Sequence, residues 1–151
     1  VLGPSDVRAF LLGSPTTGNA TRDAAAVAIV AALDDRIFPL RLPQVVTLPA
    51  IRYQRVDRDG VYSLQGFSRL ARRRYQFDVY AETYAAAEAL ALALEARLDG
   101  YQGPMGATSP APRCGGAIQD LARDFPEPEP DVRAGEERYR ITQDYLLWEE
   151  P

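Results

Sequence analysis

Cys114 is the residue whose chemistry is easiest to imagine. It follows Arg113 and precedes Gly115 and Gly116, and a neighbouring cation favours the thiolate, the form in which cysteine acts as a nucleophile. A nucleophile needs a base, and the 151-residue chain contains no histidine, which removes serine and cysteine triads of the usual kind. One cysteine without histidine also cannot build a thiolate or imidazole zinc cage. The plainer alternative is a loop cysteine of no consequence. Carboxylates occur in pairs at Asp34 with Asp35, Asp57 with Asp59, and Glu149 with Glu150, the residue type of a glycosidase or a divalent-metal site. Adjacent acids on a helix end or a turn diverge rather than converge, so they read as solvated. Neither "GPMG" at 103–106 nor "CGG" at 114–116 has the spacing or the following lysine of a phosphate-binding loop. No catalytic, metal or cofactor residue is assigned, and no cofactor is expected.

The remaining chemistry belongs to arginine. All 17 basic residues are arginine, a uniform bias that fits coding composition better than a site. The 21 acidic residues leave a formal charge of -4 and a pI near 4.9, which argues against a general phosphate-binding surface. The triplet Arg72, Arg73, Arg74 tests this. In a strand, side chains alternate: Arg72, Arg74, Gln76 and Asp78 fall on one face, and Ala71, Arg73, Tyr75, Phe77 and Val79 on the other. The triplet is split, so Arg72 and Arg74 read as a solvated or subunit-contacting strand face, with phosphate contact as the alternative.

Which elements hold these residues follows from periodicity. Hydrophobic residues at 46% and charged ones at 25% suit a globular domain. Residues 1–20 read as a loosely attached leader, flexible or a short helix capped by Ser5, ahead of a single domain over 21–151. A helix is expected from Thr21, with Ala26, Ile29, Val30, Leu33 and Ile37 on its apolar stripe and Pro39 closing it. "PAIRYQRV" predicts a strand. Residues 57–68 predict a mobile excursion too long for a tight hairpin, leading into the strand that carries the arginines. Thr83 caps a second helix lined by Tyr84, Leu90, Ala87, Ala91, Leu94 and Leu98, with Gly100 as its left-handed stop. Residues 102–116 predict a loop, "AIQDLARDF" a strand, "PEPEP" at 126–130 an exposed acidic connection, and "ERYRITQDYLLW" a long last strand. The sum is an α+β domain: an antiparallel or mixed four-stranded sheet with two main helices packed on one face. The longest apolar run, residues 24–33, is too short for a bilayer span, the first residues lack signal-peptide character, and "NAT" at 19–21 is not expected to be glycosylated.

The blocks "IFPLRLPQ", "LPAIRYQRV", "RRRYQFDVYAETYAAAEALALAL" with "LDGY", and "YRITQDYLLW" resemble the tail-completion, or tail-terminator, proteins of long-tailed bacteriophages and related gene-transfer particles. The similarity covers roughly residues 22–149 and leaves the leader and the loop "PMGATSPAPRCGG" unassigned. The resemblance implies a non-enzymatic virion protein, made in the host bacterial cytoplasm, that forms a homo-oligomeric ring, expected to be a hexamer, on the head-proximal end of the tail tube. Its implied partners are other copies of itself, the tail tube protein and the head–tail connector or stopper. DNA would pass through the ring without sequence-specific binding, and no membrane partner is expected. The residues expected at subunit or partner contacts are Arg72, Arg74, Arg138 and Arg140 on the strands, Asp57 and Asp59 in the excursion, and Glu127 and Glu129 in the "PEPEP" connection. A head-completion protein one layer up is the nearest alternative; a small ligand-binding domain and a carboxylate-based hydrolase are the others.

Overall fold

Four long strands carry the architecture: β2 (Ala50–Ser63), β3 (Gly66–Ala81), β5 (Arg113–Asp124) and β7 (Glu137–Glu149). They lie in the order β2-β3-β7-β5, and every neighbouring pair is antiparallel. The computed structural model describes residues 2–125, 129–130 and 137–150. Its helices are α1 (Pro4–Leu11), α2 (Ala20–Leu33) and α3 (Tyr84–Leu98). The α+β class expected from the sequence is therefore present, but the sheet is larger than four strands. Short β1 (Ile37–Pro39) adds a parallel edge beside β2, β4 (Gly103–Pro104) adds an antiparallel edge beside β5, and β6 (Glu129–Pro130) pairs with the start of β7. Sheet pairing is set by backbone geometry across the chain, which is why segments of two or three residues escape a period-based reading.

One face of the sheet is the core. Tyr53, Tyr75, Phe77, Val79, Tyr145 and Leu147 point inward and are almost fully buried, as strand alternation requires. Against them lies α3, whose buried residues Ala87, Leu90, Ala91, Leu94 and Leu98 repeat at helical spacing. Alanine at two of these positions lets the helix approach the strands closely. The contact has a buried polar fastening: Gln143 Nε2 donates to the Ala91 carbonyl at 3.1 Å, and the Tyr145 hydroxyl donates to Gln143 Oε1 at 3.1 Å. Thr83 is the N-cap, accepting from the Ala86 N–H at 3.2 Å. Tyr84, placed on the apolar stripe from the sequence, is instead exposed and donates its hydroxyl to Asp124 at 2.5 Å.

α2 packs beside α3 and buries Ala25, Ala26, Ile29 and Leu33. Its cap is Asn19 rather than Thr21, with Asn19 Oδ1 accepting from the Arg22 N–H at 3.1 Å. It ends at Leu33, because Asp34 turns the chain at φ 55°; Ile37 belongs to β1, so the helix stops well short of Pro39. Residues 4–11 form a helix, but not a loose one: Leu2, Val7, Phe10 and Leu11 are fully buried. The cap is Gly3, whose N–H donates to Asp6 at 2.8 Å, while Ser5 lies inside the helix. Arg97 ties the three helices together. Fully buried, it donates to the Phe10 carbonyl at 3.0 Å, to Asp23 at 3.0 Å and to the Pro15 carbonyl at 3.0 Å, with the Phe10 ring 4.0 Å below its guanidinium.

The excursion over 57–68 is a hairpin after all. β2 and β3 remain paired to Ser63↔Gly66, and Leu64–Gln65 is a two-residue turn. Gly60 and Gly66 look like loop signals in the sequence, but only Gly66, at φ +113°, serves the turn. Gly60 lies inside the strand, where a Cβ would stand 2.9 Å from the Phe67 ring; its lack of a side chain lets that ring lie flat across the ribbon.

Candidate functional site

The sheet face opposite the helices carries the charged residues, and strand register decides which of them meet. Across it run Asp59, Arg72 and Trp148, then Asp57, Arg74 and Leu146, then Gln54, Gln76 and Asp144, then Arg52, Asp78 and Thr142. The alternation expected for residues 71–79 is present: Arg72 and Arg74 lie on this face, while Arg73 is 1% exposed on the core side. There Arg73 donates from Nη2 to Glu149 at 2.6 Å and from Nε at 3.0 Å, and the same carboxylate accepts from the Leu2 N–H at 2.8 Å.

Arg74 is the centre of the upper half. Its Nη1 lies 2.7 Å from Asp120 and 3.6 Å from Asp144, and its Nε 3.6 Å from Asp57. The converging aspartates are placed by irregularities in the flanking strands, one between Arg55 and Asp57 in β2 and one between Gln119 and Leu121 in β5; an extra residue re-aims the side chains beside it. Burial pushes the Asp144 carboxyl up, and Asp120 and Asp78 add to this, while Arg74 pulls it back down. Arg72 donates to Asp59 at 2.5 Å and lies 6.0 Å from the centre of the Trp148 ring.

In the lower half, Asp78 is 2% exposed. Its Oδ2 accepts two hydrogen bonds from Arg52, from Nε at 2.9 Å and from a still closer Nη2, and its Oδ1 accepts one from the Thr142 hydroxyl at 2.5 Å. Arg140 is 3.9 Å from the same carboxylate and stacks 3.8 Å from the centre of the Phe125 ring; Arg138 lies over Tyr80 at 4.9 Å. Arg140 faces Tyr80 in the register and Trp148 faces Arg72, so the two arginine pairs named from the sequence are separated by about 26 Å of strand.

Of the eight residues singled out from the sequence, Arg72, Arg74, Asp57 and Asp59 form one cluster, with partners inside the same chain. Arg140 belongs to a second cluster with Asp78 and Arg52, and Arg138 lies next to it over Tyr80. Glu129 lies in β6 opposite Arg138, and Glu127 falls outside the described residues. Sequence reasoning missed Arg52, Asp78, Asp120 and Asp144 as members of the site. Asp78 and Asp144 were within reach, because pairing the alternation of residues 71–79 with that of 138–148 places them on the same face, and Arg52 needed the alternation of "PAIRYQRV" as well; Asp120 was not, because its position depends on a bulge.

Cys114 does not sit in a loop. It belongs to β5 and is fully buried, and burial pushes its thiol up to about 11. Arg113, the presumed activator, turns away to bond Glu150 at 2.8 Å. Among the described residues no group of three or more His, Cys, Asp or Glu side chains is arranged to hold a metal ion. The concave surfaces are shallow. One groove of about 270 Å³ lies between α1 and α2, lined by Leu12, Ala26, Val27 and Val30, and its one carboxylate, Asp23, is taken up by Thr17, Gly18 and Arg97. The broad surface of the sheet is therefore the candidate site, and its chemistry is that of matched charges.

The family model for tail completion protein gp17 matches residues 18–144. The chain belongs to the tail completion protein gp17 family. It is thus a structural protein of bacteriophage tail completion, as the sequence blocks around residues 68–98 and 139–148 imply. A solved chain from the virion of a native gene transfer agent particle shares the fold, with a TM-score of 0.65 at 13% identity over 98% of this chain and 95% of that one. No curated protein matches the chain. The family match begins near α2, whereas the fold match extends over α1 as well, in keeping with the burial of α1 in the common core.

Proposed function

We propose that this tail completion protein assembles as a hexameric ring on the head-proximal end of the tail tube, stops tube growth, and presents a surface to the neck proteins of the filled head. The observation that carries this reading is the family match over residues 18–144; the fold shared with a chain of a gene transfer agent virion supports a place inside such a particle. The sheet is suited to self-association. β1 covers β2 only at residues 51–53, so among the described residues the outer edge of β2 beyond Tyr53 has no partner strand, and such an edge favours pairing with another chain; the outer edge of β5 is instead held by β4 and by residues 99–101 as far as Gln119. The matched charges suit a channel as well. Arg52, Arg72 and Arg74 each hold an aspartate of their own sheet, and an arginine already neutralised displaces few counterions from DNA, so a duplex passes without being gripped. In this reading the protein acts through its surfaces, with no reactive centre.

Native mass spectrometry of the protein with and without tail tube protein, followed by electron microscopy of particles lacking it, tests the proposal. Rings on tube ends, with tails of uncontrolled length or tailless full heads in the particles that lack it, are expected. Copies located one layer nearer the capsid, with normal tube length in the depleted particles, would replace this reading by the head-completion one.

A further inference from the structure

The hairpin formed by β2 and β3 outruns the rest of the fold. β7 covers β3 only as far as Ala71, so residues 61–70 project as an arm, about 16 Å long at strand spacing. The arm is stiffened locally: Ser68 Oγ donates to the Val61 carbonyl at 2.7 Å, Tyr62 and Phe67 pack with ring centres 5.4 Å apart, and the Phe67 ring lies over Gly60. Yet its apolar side chains have no cover. Leu64 at the tip is wholly exposed, Tyr62 is 75% exposed and Phe67 47%. Its one charge is Arg69, also exposed.

A complementary surface exists elsewhere on the same chain. Along α2, Val27, Val30 and Asp34 follow one another at intervals of three and four residues and so share a stripe. Val27 is 69% exposed and both valines line the apolar groove beside α1. The stripe ends on the exposed pair Asp34 and Asp35, at a helix terminus whose last turn holds no basic residue. Arg36 and Arg8 donate to the Ala32 and Asp35 carbonyls at this end, while carboxylates at the negative end of a helix dipole still gain from a cation of their own. The spacings agree as well: Phe67 and Arg69 are about 7 Å apart along the strand, and Val30 and Asp34 about 6 Å apart along the helix. Both members of the charged pair have backbones at positive φ, 66° for Arg69 and 55° for Asp34, a conformation that in non-glycine residues clusters at functional sites.

Resting on the ring reading above, we infer that the arm of one copy docks in the α1–α2 groove of the next, with Leu64, Tyr62 and Phe67 on the valines and Arg69 against Asp34 and Asp35. Knob and groove occupy different places on the chain, so the contact is head-to-tail, the type that closes into a ring when the rotation between copies allows.

Cys114 is the chain's single cysteine and is buried, so two introduced thiols report the contact cleanly. Full-length Leu64→Cys and Val27→Cys proteins are mixed with tail tube protein under mild oxidation. A covalent dimer from the mixture, absent from either protein alone, is the expected result. Arg69→Glu should lower the assembled fraction about tenfold while Arg69→Lys leaves it near wild type, with circular dichroism showing both folded. Rings that form without the Leu64–Val27 cross-link and tolerate Arg69→Glu overturn the arm contact but leave the ring reading standing. An arm that cross-links to tube protein instead overturns it too. Absence of rings under every condition overturns the ring reading itself.

Discussion

Replacing Glu149 by leucine removes the partner that Arg73 and the Leu2 N–H share. Arg73 is 1% exposed and Glu149 6%, so the substitution leaves a guanidinium with its carboxylate gone inside the core, together with a donor from the segment that leads into α1. Breaking a buried pair from one side costs about 3–5 kcal/mol, a large share of the roughly 5–15 kcal/mol that holds a domain of this kind together. Arg73→Met combined with Glu149→Leu takes away the stranded charge and still leaves the Leu2 N–H unsatisfied, a cost of about 1–3 kcal/mol. The double variant should therefore be more stable than Glu149→Leu alone, although it carries more substitutions. Urea titrations of wild type, both single variants and the double close the cycle. A pH series adds an independent check. Burial raises the Glu149 carboxyl, but the Leu2 N–H and the Arg73 guanidinium outweigh it and hold the group below its ordinary 4.5. A depressed folded-state pKa gives stability that is complete above the unfolded value and drains away as pH falls through the folded one, so the gap between wild type and Glu149→Gln should narrow below pH 4.5 and be constant above about 6. Additive single costs in the cycle, or a gap independent of pH, would refute the argument.

Gly106→Ala should cost at least about 2 kcal/mol in the same titration, since Gly106 is at φ +125° and a Cβ there would come within 2.5 Å of Asp6, whose carboxylate accepts from the Gly3 N–H at the start of α1; a loss under about 0.5 kcal/mol would show that Asp6 moves aside freely. Cys114 should be inert to Ellman's reagent at pH 8 in the native protein and react fully in denaturant, because its thiol is buried and raised to about 11; rapid native labelling would mean that β5 opens readily. Arg74→Glu should lower stability by about 1–2 kcal/mol by placing a fourth carboxylate among Asp57, Asp120 and Asp144. If Arg74 also serves the ring, assembly should fall further than that loss explains, and undiminished ring abundance by native mass spectrometry would remove it from the interface.

Strand alternation in residues 71–79 and 138–148 was legible because one face of each strand is mainly apolar and the other mainly polar, so the period of two survives in the sequence even where both faces are buried. The α3 stripe and its Thr83 cap were legible for the same reason at the helical period. Three kinds of information were hidden. Polar partners in the core were one: alternation puts Arg73 on the apolar face but does not show Glu149 as its partner, and Arg97 was passed over because its burial depends on partners up to 87 residues away along the chain; in hindsight Arg97, three residues after Leu94, continues the buried side of α3. Glycines misled in both directions: Gly60 and the pair Gly115–Gly116 suggested turns, whereas the former makes room for Phe67 and the latter lie within β5. Bulges, finally, leave no periodic trace, so the aspartates that meet Arg74 could be recognised individually but not brought together.

The pairing of β3 with β7 runs unbroken from Ala71↔Glu149 to Ala81↔Tyr139, through the middle of the sheet. Tension along these two strands would load their rungs in shear, all at once, whereas a pull across the sheet would peel them one by one. A protein built this way is stiff along its strand axis and softer across it, so in the proposed ring a load would be taken up between copies before it disturbed the centre of any one copy.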